Sequence, residues 1–289
     1  MPSTRDIRNR IKSLKGTQQI TKAMKMVAAA KVKRAQDRVL ATRPYAQKLK
    51  EIFQSVASKL AGEDLNEPLL EQREVKSVGI VIVTADKGLC GGYNSNMFRF
   101  ALQKIQEIKA AGQTPKVWLV GNKAITFFRR AELEVLGRYS QLPAVPTYSE
   151  AEMLMETVSA AFLEHKVDKV VVLYTQFVSM LQYQPTELTL LPVLPPEEGA
   201  GVKEDYLYEP DPLTLLQSIL PRYIGRQIYR ALLESSASEL AARMTAMDSA
   251  TKNADDLLAG LTLLYNKVRQ AYITKEILEV VGGAEALSQ

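Results

Sequence analysis

The chain has 289 residues, 46% hydrophobic and 24% charged, enough for one large folded domain or two modest ones. No apolar run approaches the ~18–20 residues that a membrane-crossing helix needs, and the opening MPSTRDIRNR has no apolar stretch of the kind a secretory signal carries. A single cysteine (Cys90) excludes an internal disulfide, and with a single histidine (His165) it argues against a zinc site or a histidine base; the net charge of +5 is concentrated in residues 1–60, where only Asp6, Asp37 and Glu51 oppose the lysines and arginines.

In chain order, Ser3 with Asp6 is a candidate helix start. Ile7, Ile11, Leu14, Ile20, Met24, Val32, Ala35 and Val39, then Leu49, Ile52, Val56 and Leu60, trace a narrow stripe of coiled-coil type, with small residues at Ala28–Ala30 that admit a close partner helix. Pro44 predicts a kink or short break near Thr42 and Arg43. Residues 62–73 read as a linker. The period then shortens: Ser77–Thr84, Lys116–Gly121 and Lys169–Phe177 are apolar runs of strand length, Leu133–Tyr139 is a further strand, and Glu187–Val193 is an edge strand because Pro192 cannot donate to a ladder. Helices over Met97–Ala111, Asn122–Arg130 and Glu150–Glu164, the last with Ser149 as candidate cap, alternate with them. This alternation predicts a doubly wound, mostly parallel sheet.

Residues 195–212 form a second linker, ending at Asp211 as N-cap and Pro212 as first helical residue. From Leu213 the helical stripe barely stops, through Leu216, Ile228, Leu240, Met247, Leu257, Leu264 and Leu278. Pro221 and Gly225 predict a kink near its base. At ~1.5 Å per residue this helix is roughly 110 Å long, against a radius of gyration near ~19 Å for a compact domain of this size. The expected organisation is therefore a helix over 1–60, an α/β domain over 75–195 and a helix over 210–289, the two terminal helices pairing with each other. A bare pair of this kind leaves Met24, Met26 and Met247 in want of a socket.

Three places invite a functional reading. Thr84–Asn96 (TADKGLCGGYNSN) sits between a strand and a helix, where phosphates bind, but lacks both GxxxxGK[ST] and GxGxxG; a tight turn using Gly88, Gly91 and Gly92 is the plainer reading. Cys90 reads as a small buried hydrophobe rather than a nucleophile, and His165 as a cation at a helix end. The basic run from Arg5 through Arg38 is nearly one-signed between Lys12 and Arg34, which points to an acidic partner; without interleaved aromatics before Tyr45 it is poorly equipped for single-stranded nucleic acid.

Several segments resemble the γ subunit of F-type ATP synthases: IRNRIKSLKGTQQITKAMKMVAAAKVKRAQ at the start, GLCGGYN, DYLYEPDP, ASELAARMTAM (Ala237–Met247) and ITKEILEVVGGAEA (Ile273–Ala286) at the end. ILEVVGGA and PRYIGRQIYRALLESSASELAARM are similar to the photosynthetic branch, whose regulatory segment has no room in the linker around Glu197–Asp205. The resemblance implies a central rotor shaft, its two terminal helices forming an antiparallel, curved coiled coil, without catalytic residues, cofactor or metal. It stands within three α and three β subunits, with the α/β domain as a foot on the ε subunit and the c-ring, peripheral to the cytoplasmic or stromal face of an energy-transducing, thylakoid-type membrane. It further implies β-subunit contacts at Met24, Lys25, Arg269, Gln270 and Thr274, an interhelix role near Met24 for Glu276, and c-ring proximity for Tyr206, Tyr208 and Glu209. An adaptor that binds nucleic acid through the basic helix is the alternative, marked by strongly salt-dependent binding; a small α/β enzyme using the Cys90 loop is a third reading.

Overall fold

The computed structural model describes residues 3–60, 67–194 and 211–287. Five helices and five strands follow in order: α1 (Thr4–Lys59), β1 (Ser77–Val83), α2 (Tyr93–Ala110), β2 (Thr114–Val120), α3 (Asn122–Phe127, continued by a 3₁₀ turn at Phe128–Arg130), β3 (Glu134–Tyr139), α4 (Tyr148–Leu163), β4 (Lys169–Phe177), β5 (Tyr183–Leu191) and α5 (Pro212–Leu287). They fall into two compact units, one made of the chain ends (Met1–Ala28 with Met244–Gln289) and one of Ala29–Arg243.

The larger unit is a five-stranded sheet in the order β3-β2-β1-β4-β5, parallel except for β5, which runs antiparallel to β4. Side chains of successive strand residues point to opposite faces, and both faces are covered. Val81, Val83, Trp118, Val120, Val170 and Val172 pack with Phe53 and Val56 of α1, Leu154 and Phe162 of α4, and Leu220 and Ile228 of α5. Val78, Ile80, Ile82, Val117 and Leu119 pack on the other face with Met97 and Ile105 of α2, Ala124 of α3 and Phe128. The predicted doubly wound sheet is present, with its antiparallel edge strand beginning four residues earlier than expected.

Both prolines that predicted interruptions lie inside unbroken helices, Pro44 in α1 and Pro221 in α5. Each is exposed, so the carbonyl it leaves unpaired one turn earlier can be solvated. The apolar positions around them, Leu49 and Phe53 in one case and Leu220 and Ile224 in the other, stay buried and hold the helix in place. Gly225 has a packing role: a Cβ there would stand 2.5 Å from the Tyr148 hydroxyl of α4. The cap of α4 is Thr147 rather than Ser149; its N–H and Oγ both donate to the Glu150 carboxylate at 2.7 and 2.6 Å in a capping box. Ser3 and Asp6 cap α1 in the same reciprocal manner, and Asp211 accepts the amides of Leu213 and Thr214 at the start of α5.

Arg73 fastens the entry to the sheet. Its guanidinium lies 4.4 Å over the Phe162 ring, donates to the Phe162 carbonyl at 2.9 Å and the Val167 carbonyl at 2.5 Å, and pairs with Asp168 at 3.0 Å. His165 closes α4 in a left-handed conformation, φ 57°, with the crossed amide bonds of a Schellman turn. Its Nδ1 stands 2.6 Å from Arg73 Nη1 and must accept, because a guanidinium only donates. The residue expected at a helix end is there, lying against Arg73.

Candidate functional site

The unit of chain ends is where most of the anticipated contact residues lie. Its two helical segments run antiparallel, joined by polar rungs at an offset constant to within one residue. Arg8 Nη2 donates to the Tyr265 hydroxyl at 2.7 Å, Gln18 bonds Asp255, the hydroxyls of Thr21 and Thr251 meet at 2.8 Å, and Lys25 Nζ stands 2.5 Å from Asp248 Oδ1. Small or slim side chains (Thr21, Ala28 and Ala254) are buried along the pair. The apolar stripe is thinner than its sequence suggests: Ile7 and Met247 are buried, whereas Ile20 is 62% exposed and Leu257, Leu264 and Leu278 face outward. Met26 is exposed as anticipated, Met24 is half-buried, and Met247 is already covered within the chain.

Charge along this pair is organised by the same rungs. The side-chain hydrogen bond from Lys25, then that from Lys252, holds the Asp248 carboxyl below its usual range. The Tyr265 hydroxyl is pulled below the usual phenol range, first by the hydrogen bond from Arg8 and then by the charges of Arg8 and Arg269. Arg269 lies 6.0 Å from the Tyr265 ring centre and Arg8 5.7 Å, so one aromatic ring is flanked by two cations.

The predicted contact residues therefore separate into two groups. Met24 and Lys25 sit at the level of Asp248 and Ser249. Arg269 belongs to the Arg8–Tyr265 level, about 30 Å away at ~1.5 Å per residue, with Gln270 and Thr274 on the exposed helix beyond it; the Thr274 hydroxyl donates back to the Gln270 carbonyl at 3.0 Å. Glu276 does not meet Met24. The rung offset places it past the first residues of α1, roughly 40 Å of helix from the Met24 level. It is exposed, with no α1 residue opposite. Tyr206, Tyr208 and Glu209 lie outside the described residues. Sequence reasoning missed Tyr265, Asp248 and Asp255 as rung partners; the signal available was one acceptor or aromatic on the last helix for each cation or amide on the first, at a sum of positions constant to within one residue.

The loop after β1 reaches across to the turn that joins β2 to α3. Gly121 and the first amides of α3 are occupied from within: Asn122 by Asp86 at 2.7 Å, Lys123 by the Ala85 carbonyl at 3.1 Å and Ala124 by Thr84 Oγ1 at 2.9 Å, while Gly121 donates to Tyr139 at 2.7 Å. Gly121 has φ 94°, and a Cβ on it would lie 2.3 Å from the Thr84 carbonyl oxygen, so the chain crosses here too closely for any side chain. In GLCGG the left-handed residues are Leu89 and Gly91 (φ 64° and 54°), not Gly88 and Gly92. Cys90 is buried, its sulfur accepts from Asn94 Nδ2 at 3.2 Å, and burial pushes its thiol above the usual range, the opposite of an activated nucleophile. Among the described residues no group of histidine, cysteine and carboxylates could hold a metal ion, and no helix is long and apolar enough to cross a membrane.

Comparison with known proteins bears on the whole chain. A family model described as ATP synthase matches residues 3–287. The ATP synthase gamma chain of Nostoc sp. is 43% identical, with all of both chains covered, and that of Picosynechococcus sp. is 45% identical over 99% of this chain and all of the relative. The alignment with the Nostoc chain spans 315 positions against the 289 residues here, so that relative carries residues with no counterpart in this chain. Among solved structures, the central stalk and c-ring assembly of the Tetrahymena thermophila mitochondrial ATP synthase contains a chain with a TM-score of 0.59 and 27% identity, matched over 80% of this chain and 99% of its own length. A chain of the Euglena gracilis mitochondrial enzyme shares the fold with a TM-score of 0.67 at 20% identity, over 98% and 94%. The nucleic-acid reading gains no support from any of these likenesses.

Proposed function

Because this chain belongs to the ATP synthase γ-chain family, we propose that it is the central rotor shaft of an F-type ATP synthase, coupling rotation of a c-ring to conformational change at three catalytic β subunits. The observation that carries the reading is the antiparallel, polar-runged pairing of the chain's two ends, which makes an elongated element with outward-facing side chains on both helices. The shaft supplies no catalytic group. It works by differential binding: a shaft with unlike faces stabilises a different conformation of each β subunit, and turning it exchanges those conformations. A basic first helix suits acidic loops on β, with Met24 and Lys25 at one level and Arg269, Gln270 and Thr274 at another as the contact residues.

In this reading the α/β unit is the foot against the ε subunit and c-ring, with Tyr206, Tyr208 and Glu209 on the c-ring side. The complex is peripheral to the membrane through its partners, on the cytoplasmic or stromal face, thylakoid in a photosynthetic host. The residues that the Nostoc relative has and this chain lacks are read as the regulatory segment. The domain division proposed is 1–60, 75–195 and 210–289. The test is reconstitution with the α and β subunits of a cyanobacterial relative. A complex with one copy of this chain per three α and three β, seen by native mass spectrometry and hydrolysing ATP cooperatively, is the expected outcome; absence of that complex sinks the proposal.

A further inference from the structure

The serine-rich stretch of α5 meets the sheet at a point where the strand ladder runs out. β1 pairs with β4 only as far as Ile82 opposite Leu173, so Thr175 lies past the end of its neighbour. On its other side Thr175 stands opposite Pro185 of β5, while its own N–H and C=O point away from β5, to the side where β1 has ended. Thr175 is only 2% exposed, and a buried peptide group without partners is costly. One turn of α5 takes the place of the missing strand: the Thr175 N–H donates to Ser235 Oγ at 3.1 Å, and Ser238 Oγ donates to the Thr175 carbonyl at 3.1 Å. Ser235 and Ser238 are themselves buried at 2% and 0% exposure.

Two further ties leave the same stretch of helix. Ser236 Oγ donates to the Ala144 carbonyl, in the loop before α4, at 2.5 Å. Arg243 Nη1 donates to the Gly88 carbonyl, in the loop after β1, at 2.8 Å, while the rest of its guanidinium pairs with Glu239. At 3.6 residues per turn, Ser235, Ser236, Ser238 and Arg243 spread over roughly 160° of the helix circumference. Apolar packing resists separation but tolerates sliding and rolling. Hydrogen bonds to backbone atoms of three separate segments are directional, so α5 cannot roll about its axis or shift along it without breaking all four.

We propose that Ser235, Ser236, Ser238 and Arg243 form a torsional clamp that makes α5 turn as one body with the sheet, so that torque entering the sheet passes into the helix without slip. These are positioning residues for coupling. The inference rests on the shaft reading and adds to it the place where rotation is transmitted.

The test uses the assembled ATP synthase containing this chain, in liposomes, with ATP hydrolysis, ATP-driven proton uptake and hydrogen exchange at the Thr175 amide as readouts. In Ser235→Ala/Ser238→Ala, hydrolysis persists, protons moved per ATP fall by about threefold or more, and the Thr175 amide exchanges about tenfold faster, in line with loss of its acceptor. Val158→Ala, which hollows the core at a fully buried position of α4 away from the clamp, serves as the stability control and leaves protons per ATP unchanged. Arg243→Gln, which cuts the Gly88 tie together with the Glu239 pair and spares the serines, gives a smaller fall and stands in if the double variant fails to assemble. Unchanged coupling in the clamp variants, or an equal loss in Val158→Ala, overturns the clamp. If the unaltered chain itself fails to restore pumping to complexes lacking a γ subunit, the shaft reading falls instead, and the clamp with it.

Discussion

In the unit spanning Ala29–Arg243, Phe53, Trp118, Phe162 and Ile228 seal a sheet between helices; in the unit of chain ends, the facing positions are Arg8 and Tyr265, Gln18 and Asp255, Thr21 and Thr251, Lys25 and Asp248. The first is held by shape and burial, the second mostly by matched polar partners. Exposed ion pairs contribute little stability, but a wrong offset would leave each rung unmatched, so the rungs set register more than strength. A pair of helices that must present its outer surface to other proteins gains from this division. Its alignment is fixed without a wide apolar face that would compete for the same side chains.

The contrast can be broken most directly in the core. Phe162→Ala removes a fully buried ring and the surface on which Arg73 stacks, and should cost about 3–5 kcal/mol in urea unfolding. A loss below about 1 kcal/mol would mean that the apolar unit is not the stabilising one. Asp168→Asn comes next, at about 1.5–2 kcal/mol, because it weakens the charged hydrogen bonds that the half-buried Asp168 makes with Arg73 and the Ser77 and Lys76 amides. Burial raises the Asp168 carboxyl, but the amides of Ser77 and Lys76, the Ser77 hydroxyl and Arg73 outweigh it, so its folded pKa lies below the unfolded one. Its contribution is therefore complete above the ordinary carboxylate value near ~4 and is lost as pH falls through the lower folded value. Thermal melts between about pH 2 and 5 should show a steeper acid loss for the unaltered chain than for Asp168→Asn; parallel curves would remove this linkage.

The rungs should respond more weakly. Thr21→Val with Thr251→Val replaces both hydroxyls by methyls of similar shape and should change stability by no more than about 0.5 kcal/mol; the two single changes should not add, because either one already removes the cross-helix bond and leaves the other hydroxyl on its own backbone carbonyl, Gln18 or Met247. Additive single effects would show that the pair is not a rung. Arg8→Ala should leave the fold intact and raise the Tyr265 phenol back toward its ordinary range, read by ultraviolet titration. No movement would place Arg8 elsewhere in solution.

The parts of this molecule that were legible in its sequence are those with a periodic signal. Val78–Val83 and Val170–Tyr174 announce strands buried on both faces, and the long stripes announce α1 and α5. Pro44 and Pro221 misled because their effect on a helix depends on which side meets water, a property of packing. The offset of the chain ends could not be read from apolar period, since Thr, Gln and Asp carry the rungs; the family resemblance placed Glu276 beside Met24, and the register separates them. The role of Ser235 and Ser238 was hidden for a related reason: it depends on Thr175 outrunning β1 by two residues, which no local pattern encodes.

The offset at Arg8 and Tyr265 also means that α5 outlasts its companion. From Tyr272 to Ala284 every residue is exposed, and the sequence there includes Val280, Val281, Gly282 and Gly283, poor material for a helix standing alone. Helix–coil equilibria for so short an unsupported end are marginal in water. This end of α5 is helical without a companion, held only by its own backbone hydrogen bonds, so any surface that encloses it would add the side-chain packing it lacks.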